Sequence, residues 1–367
     1  MVNNGAAGHA MTSEYSERTR GAGVVIDTAR DLFLRALEHT LEAETKESRL
    51  KPFCFADFGT ADGGTSMATM EAAIQLVRKV HPEREILVVY EDQATNDFRP
   101  VFTKYTGTSD FFQKYGPLFV HSTGVSFYFQ CAPSNSVQAS FSATAMHWLS
   151  FKPCDLPDAL HITGAAESTE KDVFLAQSEK DWESILLHRS KELVKGGSFV
   201  LALFCVNDEG YFLGSTGRGR DMHSTFLKIW SEMMRGGKIS EAEWTATTFP
   251  MHYRTVKEIE APFHNADSSV VQAGLRLKEV STKVVPCIYA EEFRSHNDKE
   301  KFAAGLVGTM RTWSEHVFLS ALDDSRSPAE KWAIVEEFYS TLKEEVGNDP
   351  QHFAMDYVHA YAWITKE

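Results

Sequence analysis

Residues 52–67, PFCFADFGTADGGTSM, carry a short apolar run into an acid, bend through Gly59, Gly63 and Gly64, and then open a helical pattern. A run that short, followed by glycines and then by apolar residues at helical spacing, is a strand that must turn sharply into a helix. The same unit recurs down the chain. TSMATMEAAIQLVRKVH reads as a helix and EILVVY as a second strand ending at Glu91 and Asp92; a turn and helix surround NDFRPVFTKY, and strand segments follow in PLFVHS and SVQASFSATAMHWL. KDVFLAQSEKDWESILLHRSKELVKGG is a long amphipathic helix whose Lys195, Gly196 and Gly197 suit a helix C-terminus, and SFVLALFCV is a buried strand. Alternation of this kind specifies a mainly parallel sheet with helices on both faces, an α/β fold.

TRGAGVVIDTARDLFLRALEHTLEAE places Val25, Ala29, Phe33, Ala36, Leu37 and Leu41 on one face of a leading helix. From Gly210 to Ser320 the periodicity breaks into helices with irregular links, and Gly214 to Gly219 is the expected exposed loop. The chain closes with a helix from Pro328 to Val346 and a strand within HFAMDYVHAYAWITK. Four parts are expected: an N-terminal segment and helix covering the site (1–50), a ligand-binding core (51–209), a mainly helical cap (210–320), and a C-terminal helix and strand completing the core (321–367).

A chain of 367 residues, 43% hydrophobic and 12% aromatic, can bury a large core. Its formal charge of -14 argues against nucleic acid, which needs concentrated Lys and Arg. The five cysteines, Cys54, Cys131, Cys154, Cys205 and Cys287, are widely spaced and form no CxxC pair, so reduced, buried thiols are expected. No apolar stretch reaches the roughly 18 residues of a membrane span. The start, MVNNGAAGHAMTSEY, lacks a basic segment followed by an apolar core, and a cytosolic protein without a membrane partner is expected. HExxH, EF-hand and GxSxG patterns are missing, so no metal centre is expected.

The glycine turn falls at the C-terminal edge of the first strand, where open α/β sheets bind ligands. Alone it is compatible with being merely a turn. Asp92, at the end of the second strand, adds a carboxylate able to accept both hydroxyls of a ribose, which points to a nucleoside. A dinucleotide site wants GxGxxG and a pyrophosphate at a helix N-terminus, whereas here Asp57 and Asp62 flank the glycines and would repel a diphosphate. The acids suit a ligand carrying an ammonium and a sulfonium, so S-adenosylmethionine fits better than NAD.

Several blocks then resemble, in order and over nearly the whole chain, the plant-type SABATH methyltransferases. ADFGTADGGTSM stands where that family has its first cofactor motif, and EDQATNDF resembles its NDLPxNDF. VSFYFQCAPSNSVQASFSATAMHWLS is similar to its GSFYxRLFPxxSxHFxxSxxxxxWLS, and RSKELVKGGSFVLALF to its RxxELVxGGxMVLxxxG. The resemblance implies a Rossmann-like class I methyltransferase sheet with a mainly helical substrate cap. It also implies S-adenosylmethionine as cofactor, transfer of its methyl to the carboxylate of a small organic acid, and a homodimer. Methylation of a ring nitrogen, or a non-catalytic binding module on the same fold, are the alternatives.

Carried over, the implied cofactor site comprises Asp57 and Gly59 beside the methionine portion, Asp92 and Gln93 at the ribose, and Ser126 and Phe127 flanking the adenine. Tyr15 resembles the tyrosine that opens the family's YAKNSxxQ element over both ligands, but here the chain reads YSERTRGA: Thr19 replaces a serine and Ala22 the glutamine that helps hold a substrate carboxylate. Trp148 of WLS keeps the indole donor, and Arg20 is the candidate replacement for the missing one, since its fork can grip a carboxylate. His147, His223, Tyr253 and Trp313 complete the implied substrate set. Ordinary packing is the alternative for Phe127, Tyr128 and His147, and a solvated side chain for Arg20; Phe204, Trp230, Met310 and Phe318 read as core. No acid/base pair stands out, so positioning and desolvation of an already ionised carboxylate are expected to carry catalysis.

Overall fold

The computed structural model describes residues 15–106, 114–216 and 220–367. Its centre is one sheet in the order β3-β2-β1-β4-β5-β8-β7. Strands β1 (Phe53–Phe58), β2 (Ile86–Glu91), β3 (Leu118–Thr123), β4 (Val137–Ala143) and β5 (Leu193–Val206) run parallel, and β8 (Tyr357–Lys366) lies antiparallel between β5 and β7 (Leu275–Val285). A two-residue strand, β6 (Arg254–Thr255), pairs with the end of β5.

Every residue of β1 is buried because both faces are covered: Phe53 and Phe55 enter one apolar cluster, and Cys54, Ala56 and Phe58 the other. After the short helix α1 (Tyr15–Arg18), helix α2 (Arg20–Ala43) buries all six residues of its expected stripe. Gly21 is required there, since a Cβ would stand 2.4 Å from the Tyr357 ring. Helices α3 (Met67–Val80) and α4 (Arg99–Thr106) follow β1 and β2, and α5 (Thr169–Glu192) precedes β5.

Three local expectations need correction. Helix α5 ends at Glu192, and LVKGG already belongs to β5. Pairing slips there, from Val137 opposite Leu193 to Ala139 opposite Ser198, and Gly196 takes φ +80° where a Cβ would meet Ala43 at 2.8 Å. The glycine pair therefore makes a bulge under the end of α2 instead of a helix cap. The stretch from 210 to 320 also supplies an edge strand, β7, whose charged, half-exposed residues hid its period; such charges blunt a sheet edge. Finally, Gly214 is buried, donates its N–H to Asp356 O at 3.0 Å and abuts Met222; residues 217–219 lie outside the described residues.

The remaining helices, α6 (Met222–Arg235), α7 (Glu241–Ala246), α8 (Val256–His264), α9 (Ser269–Gln272), α10 (Ile288–His296), α11 (Lys299–Ala321) and α12 (Pro328–Asn348), start on side-chain caps in most cases. Phe226, Trp230, Phe318 and Phe338 pack α6, α11 and α12 together. All five cysteines are free, although Cys131 and Cys154 are only half-buried. No described helix is long and apolar enough to cross a membrane.

Candidate functional site

The turn after β1 folds as its glycines demand. Gly59 takes φ +74°, donates its N–H to Glu91 O at 2.9 Å and to Glu91 Oε2 at 3.1 Å, and leaves no room for a Cβ, which would lie 2.3 Å from that of Ala145. Asp92 braces the same turn: Oδ2 accepts from Ala61 N at 2.7 Å and Oδ1 from Gln93 N at 2.7 Å. Each oxygen keeps a further lone pair.

Gly59, Asp92, Gln93, Ser126 and Phe127 all line one cavity of about 230 Å³ at the C-terminal ends of the parallel strands, with Tyr15 and Trp148 at its far side. A larger cleft, about 960 Å³, opens at the opposite strand ends and contains none of them. In parallel sheets the C-terminal ends are the binding edge.

Asp57 is not in the cavity wall. It lies beneath the turn, accepting from Ser66 Oγ at 2.6 Å and Thr60 Oγ1 at 3.2 Å, and burial pushes its carboxyl up to about 6 against those bonds. Asp62 likewise turns to the protein, taking the Ser16 N–H and hydroxyl at 3.1 and 2.6 Å and so tying α1 to the glycine turn. Glu91, unassigned from sequence, does line the cavity; its Oε1 is buried without a partner, and burial, with Asp92 adding to it, holds the carboxyl well above the usual range.

A second, smaller cavity of about 30 Å³ adjoins the first through Tyr15, Thr144 and Trp148, which line both. The Tyr15 phenol meets the hydroxyls of Thr144 and Thr19. Thr144 holds φ +52°, an uncommon strain for a β-branched residue, at this junction. The loop carrying Trp148 is zipped to a distant segment: Leu149 N donates to Pro250 O at 2.8 Å and His252 N to His147 O at 2.9 Å.

His147, Tyr253 and Trp313 join this second wall, and so does Phe204, which is also core as expected. His223 stands one layer back, 3.1 Å from the Tyr253 hydroxyl and stacked on His161 at 4.1 Å. Arg20 is elsewhere: its guanidinium pairs with Glu292 at 2.6 Å on the outside of the molecule, lining neither cavity. Helix geometry explains this, because Gly21 and Ala22 take the inward face and leave Arg20 outside.

Sequence reasoning missed Thr144, Leu213, Met251, Met355 and Tyr357, which complete the second wall. None carried a local signal; they arrive from four separate segments, Met355 and Tyr357 sharing one. Burial raises the phenols of Tyr15, Tyr253 and Tyr357 and lowers the His147 imidazole to about 3. Among the described residues neither Lys nor Arg lines this cavity, so its wall is uncharged at neutral pH.

A cavity with acidic residues on one side, adjoining a neutral aromatic one, suits a cationic nucleoside donor meeting a small acceptor. The model of the SAM-dependent carboxyl methyltransferases matches residues 3–345. The chain belongs to that family. Loganic acid O-methyltransferase of Catharanthus roseus is 26% identical over 275 residues, 70% of this chain and 71% of that one. Gibberellic acid methyltransferase 1 of Arabidopsis thaliana is 24% identical over 68% of this chain and 70% of its own. A solved structure of loganic acid methyltransferase with SAH superposes with a TM-score of 0.73 over 98% of both chains at 19% identity, which establishes the shared Rossmann-like fold.

This methyltransferase uses S-adenosylmethionine to convert the carboxylate of a small organic acid into a methyl ester. Its first cavity offers groups that could hold that cofactor: the unpartnered Glu91 oxygen, the spare lone pairs of Asp92 and the aromatic face of Phe127.

Proposed function

We propose that the carboxylate of the acid lies at the junction of the two cavities, with the Trp148 indole N–H as its donor and its body toward the aromatic second cavity, whose walls must part to admit more than its volume of about 30 Å³. The single observation behind this reading is that Tyr15, Thr144 and Trp148 line both cavities. Asp92 would hold the ribose hydroxyls of the cofactor, Gln93 would lie beside them, and Ser126 with Phe127 would flank the adenine. When bound, S-adenosylmethionine supplies an electrophilic methyl.

The protein's own contribution is orientation and exclusion of water. A carboxylic acid with a pKa near 4 is ionised at neutral pH, so no side chain need remove a proton. A neutral wall leaves the carboxylate oxygen nucleophilic, whereas an arginine or lysine pair would hold its charge in place; the outward position of Arg20 agrees with this. Desolvating the anion between Trp148, Tyr253 and Trp313 and fixing its direction supplies the rate. Tyr253 meets polar groups of the acid, and His223 fixes the Tyr253 hydroxyl from behind.

A methyl-transfer screen with labelled cofactor across aromatic, fatty and terpenoid acids and xanthines tests the reading. Ester formation from acids is expected, and transfer confined to ring nitrogens would overturn it. We also infer a homodimer, supported by resemblance to SABATH enzymes, which a monomer in light scattering at micromolar concentration would refute. A cytosolic location is inferred from the sequence and is checked by fractionation.

A further inference from the structure

Arg189, in the last turn of α5, has a fully buried side chain at 0% exposure, and its ion-pair partner Glu192 is at 1%. Burying two charges is costly and is repaid only when their remaining hydrogen bonds are satisfied. Here nearly all of those bonds go to one loop. The guanidinium donates to Phe127 O at 2.9 Å from Nη1 and to Phe129 O at 2.8 Å from Nη2, while Nε and Nη2 hold the two oxygens of Glu192 at 2.6 and 2.7 Å. Glu192 Oε1 in turn accepts from Cys131 N and, at 3.2 Å, from Ala132 N. The plane of the guanidinium covers the Phe58 ring, at the end of β1, at 4.0 Å.

Four backbone groups between Phe127 and Ala132 are therefore held by a single buried pair, and that loop leads directly into the first cavity. Ser126, Phe127 and Tyr128 form its wall, and the Tyr128 hydroxyl donates to the backbone oxygen of Trp148 at the junction with the second cavity. Burial holds the Glu91 carboxyl well above its usual range, and the guanidinium only partly opposes this, so its charge is felt at a second residue lining the cavity. Phe127, Tyr128, Cys131 and Ala132 also pack against the core, and Phe129 N donates to Ser126 O at 2.8 Å; the buried pair ties backbone groups at both ends of the loop to the end of α5.

We propose that Arg189 and Glu192 are positioning residues for methyl transfer, setting the loop of residues 125–132 so that the adenine wall and Trp148 are placed as one unit. This rests on the reading of Phe127 as part of the cofactor wall. Lysine cannot replace the arginine, because a single ammonium does not span two carbonyls and both oxygens of a carboxylate.

The test measures S-adenosylhomocysteine affinity by calorimetry, and kcat and KM for both substrates, in Arg189→Lys, Glu192→Gln, Phe127→Ala and the Arg189→Lys/Phe127→Ala double variant. Arg189→Lys is expected to weaken S-adenosylhomocysteine at least tenfold and raise KM for S-adenosylmethionine alike, measured well below the midpoint of thermal unfolding, which should itself fall because lysine leaves buried partners unpaired. The double variant should then be no weaker than the worse single one, since Arg189 acts through the loop. Glu192→Gln, isosteric but leaving the Arg189 charge uncompensated, should shift the same constants in the same direction by about threefold or more at a temperature where the variant is still folded. Unchanged affinity in both Arg189→Lys and Glu192→Gln, or strictly additive losses in the double variant, overturns the proposal. Should Phe127→Ala alone keep full affinity while Arg189→Lys loses it, the adenine reading of Phe127 fails and the positioning role stands.

Discussion

The first cavity takes its wall mainly from the loops after β1, β2, β3 and β4, in chain order, whereas the second draws on Thr19, the 147–148 loop, Phe204, Leu213, Met251, Tyr253, Trp313, Met355 and Tyr357. One is a product of local turn geometry at the edge of a parallel sheet; the other exists only where α1, the end of β5, α11 and the start of β8 converge. The first carries two carboxyls, Glu91 and Asp92, whereas among the described residues the wall of the second holds no Asp, Glu, Lys or Arg. A cationic donor and a desolvated anion need these opposite surroundings, and the boundary between them falls at Trp148.

Acid should strike the second region hardest. Burial holds His147 at about 3 and His223 at about 4 in the folded chain, and His161 and His359 also well below their ordinary value of 6.5. The unfolded chain takes up protons near 6.5 that the folded chain refuses, so stability is full above that pH and is lost as pH falls toward 4. Asp57 acts in the opposite sense, because its folded value of about 6 keeps a proton that the unfolded chain has released above 3.8. Glu91 and Asp92, whose carboxyls burial also raises, act with Asp57, but four imidazoles against three carboxyls leave an expected net loss of stability between pH 7.5 and pH 5. Urea unfolding at pH 7.5 and pH 5 measures it; a flat or rising free energy on acidification would show that these rings are not held neutral.

Gly59→Ala attacks the first region through its backbone. Positive φ and the overlap with Ala145 together should cost about 2–5 kcal/mol of stability or displace the turn, with loss of cofactor binding. A stable variant with normal S-adenosylhomocysteine affinity would falsify the tight-turn argument.

Asp92→Ala separates the two regions. Loss of charge-assisted hydrogen bonds should weaken S-adenosylmethionine by about 1.5–3 kcal/mol while KM for the acid stays within about threefold. Unchanged affinity in calorimetry removes Asp92 from the ribose.

Trp148→Phe makes the smallest change, keeping an aromatic ring at the junction and deleting one N–H. KM for the acid should rise about fivefold to tenfold, near 1 kcal/mol, with cofactor affinity within about twofold. If the acid constants do not move, the indole is packing and not a donor.

Much of the first region was legible in the chain itself. Strand, glycine turn, helix and a second strand ending in acids are local patterns, so Gly59, Asp92, Gln93, Ser126 and Phe127 could be placed in one cavity from periodicity and motif resemblance. Asp57 misled for a local reason: an acid at the end of a strand reads alike whether it faces a ligand or, as here, Ser66 and Thr60 behind the turn. Glycine at 196 and 197 also reads alike as cap or bulge, and only the pairing with β4 distinguishes them.

The amino-acid sequence by itself determined the alternating α/β order, the buried face of α2, the cofactor edge of the sheet and, through ordered motifs, the family. Those follow from period, turn chemistry and short-range spacing, which need no partner segment. The tertiary structure alone decided that Arg20 faces outward to Glu292, that His223 stands behind Tyr253, that β7 joins the sheet beyond β8, and that Thr144, Leu213, Met251, Met355 and Tyr357 close the second cavity. Which way a side chain points depends on helix phase and strand register across hundreds of residues, and a pocket assembled from distant segments leaves no periodic trace in any one of them.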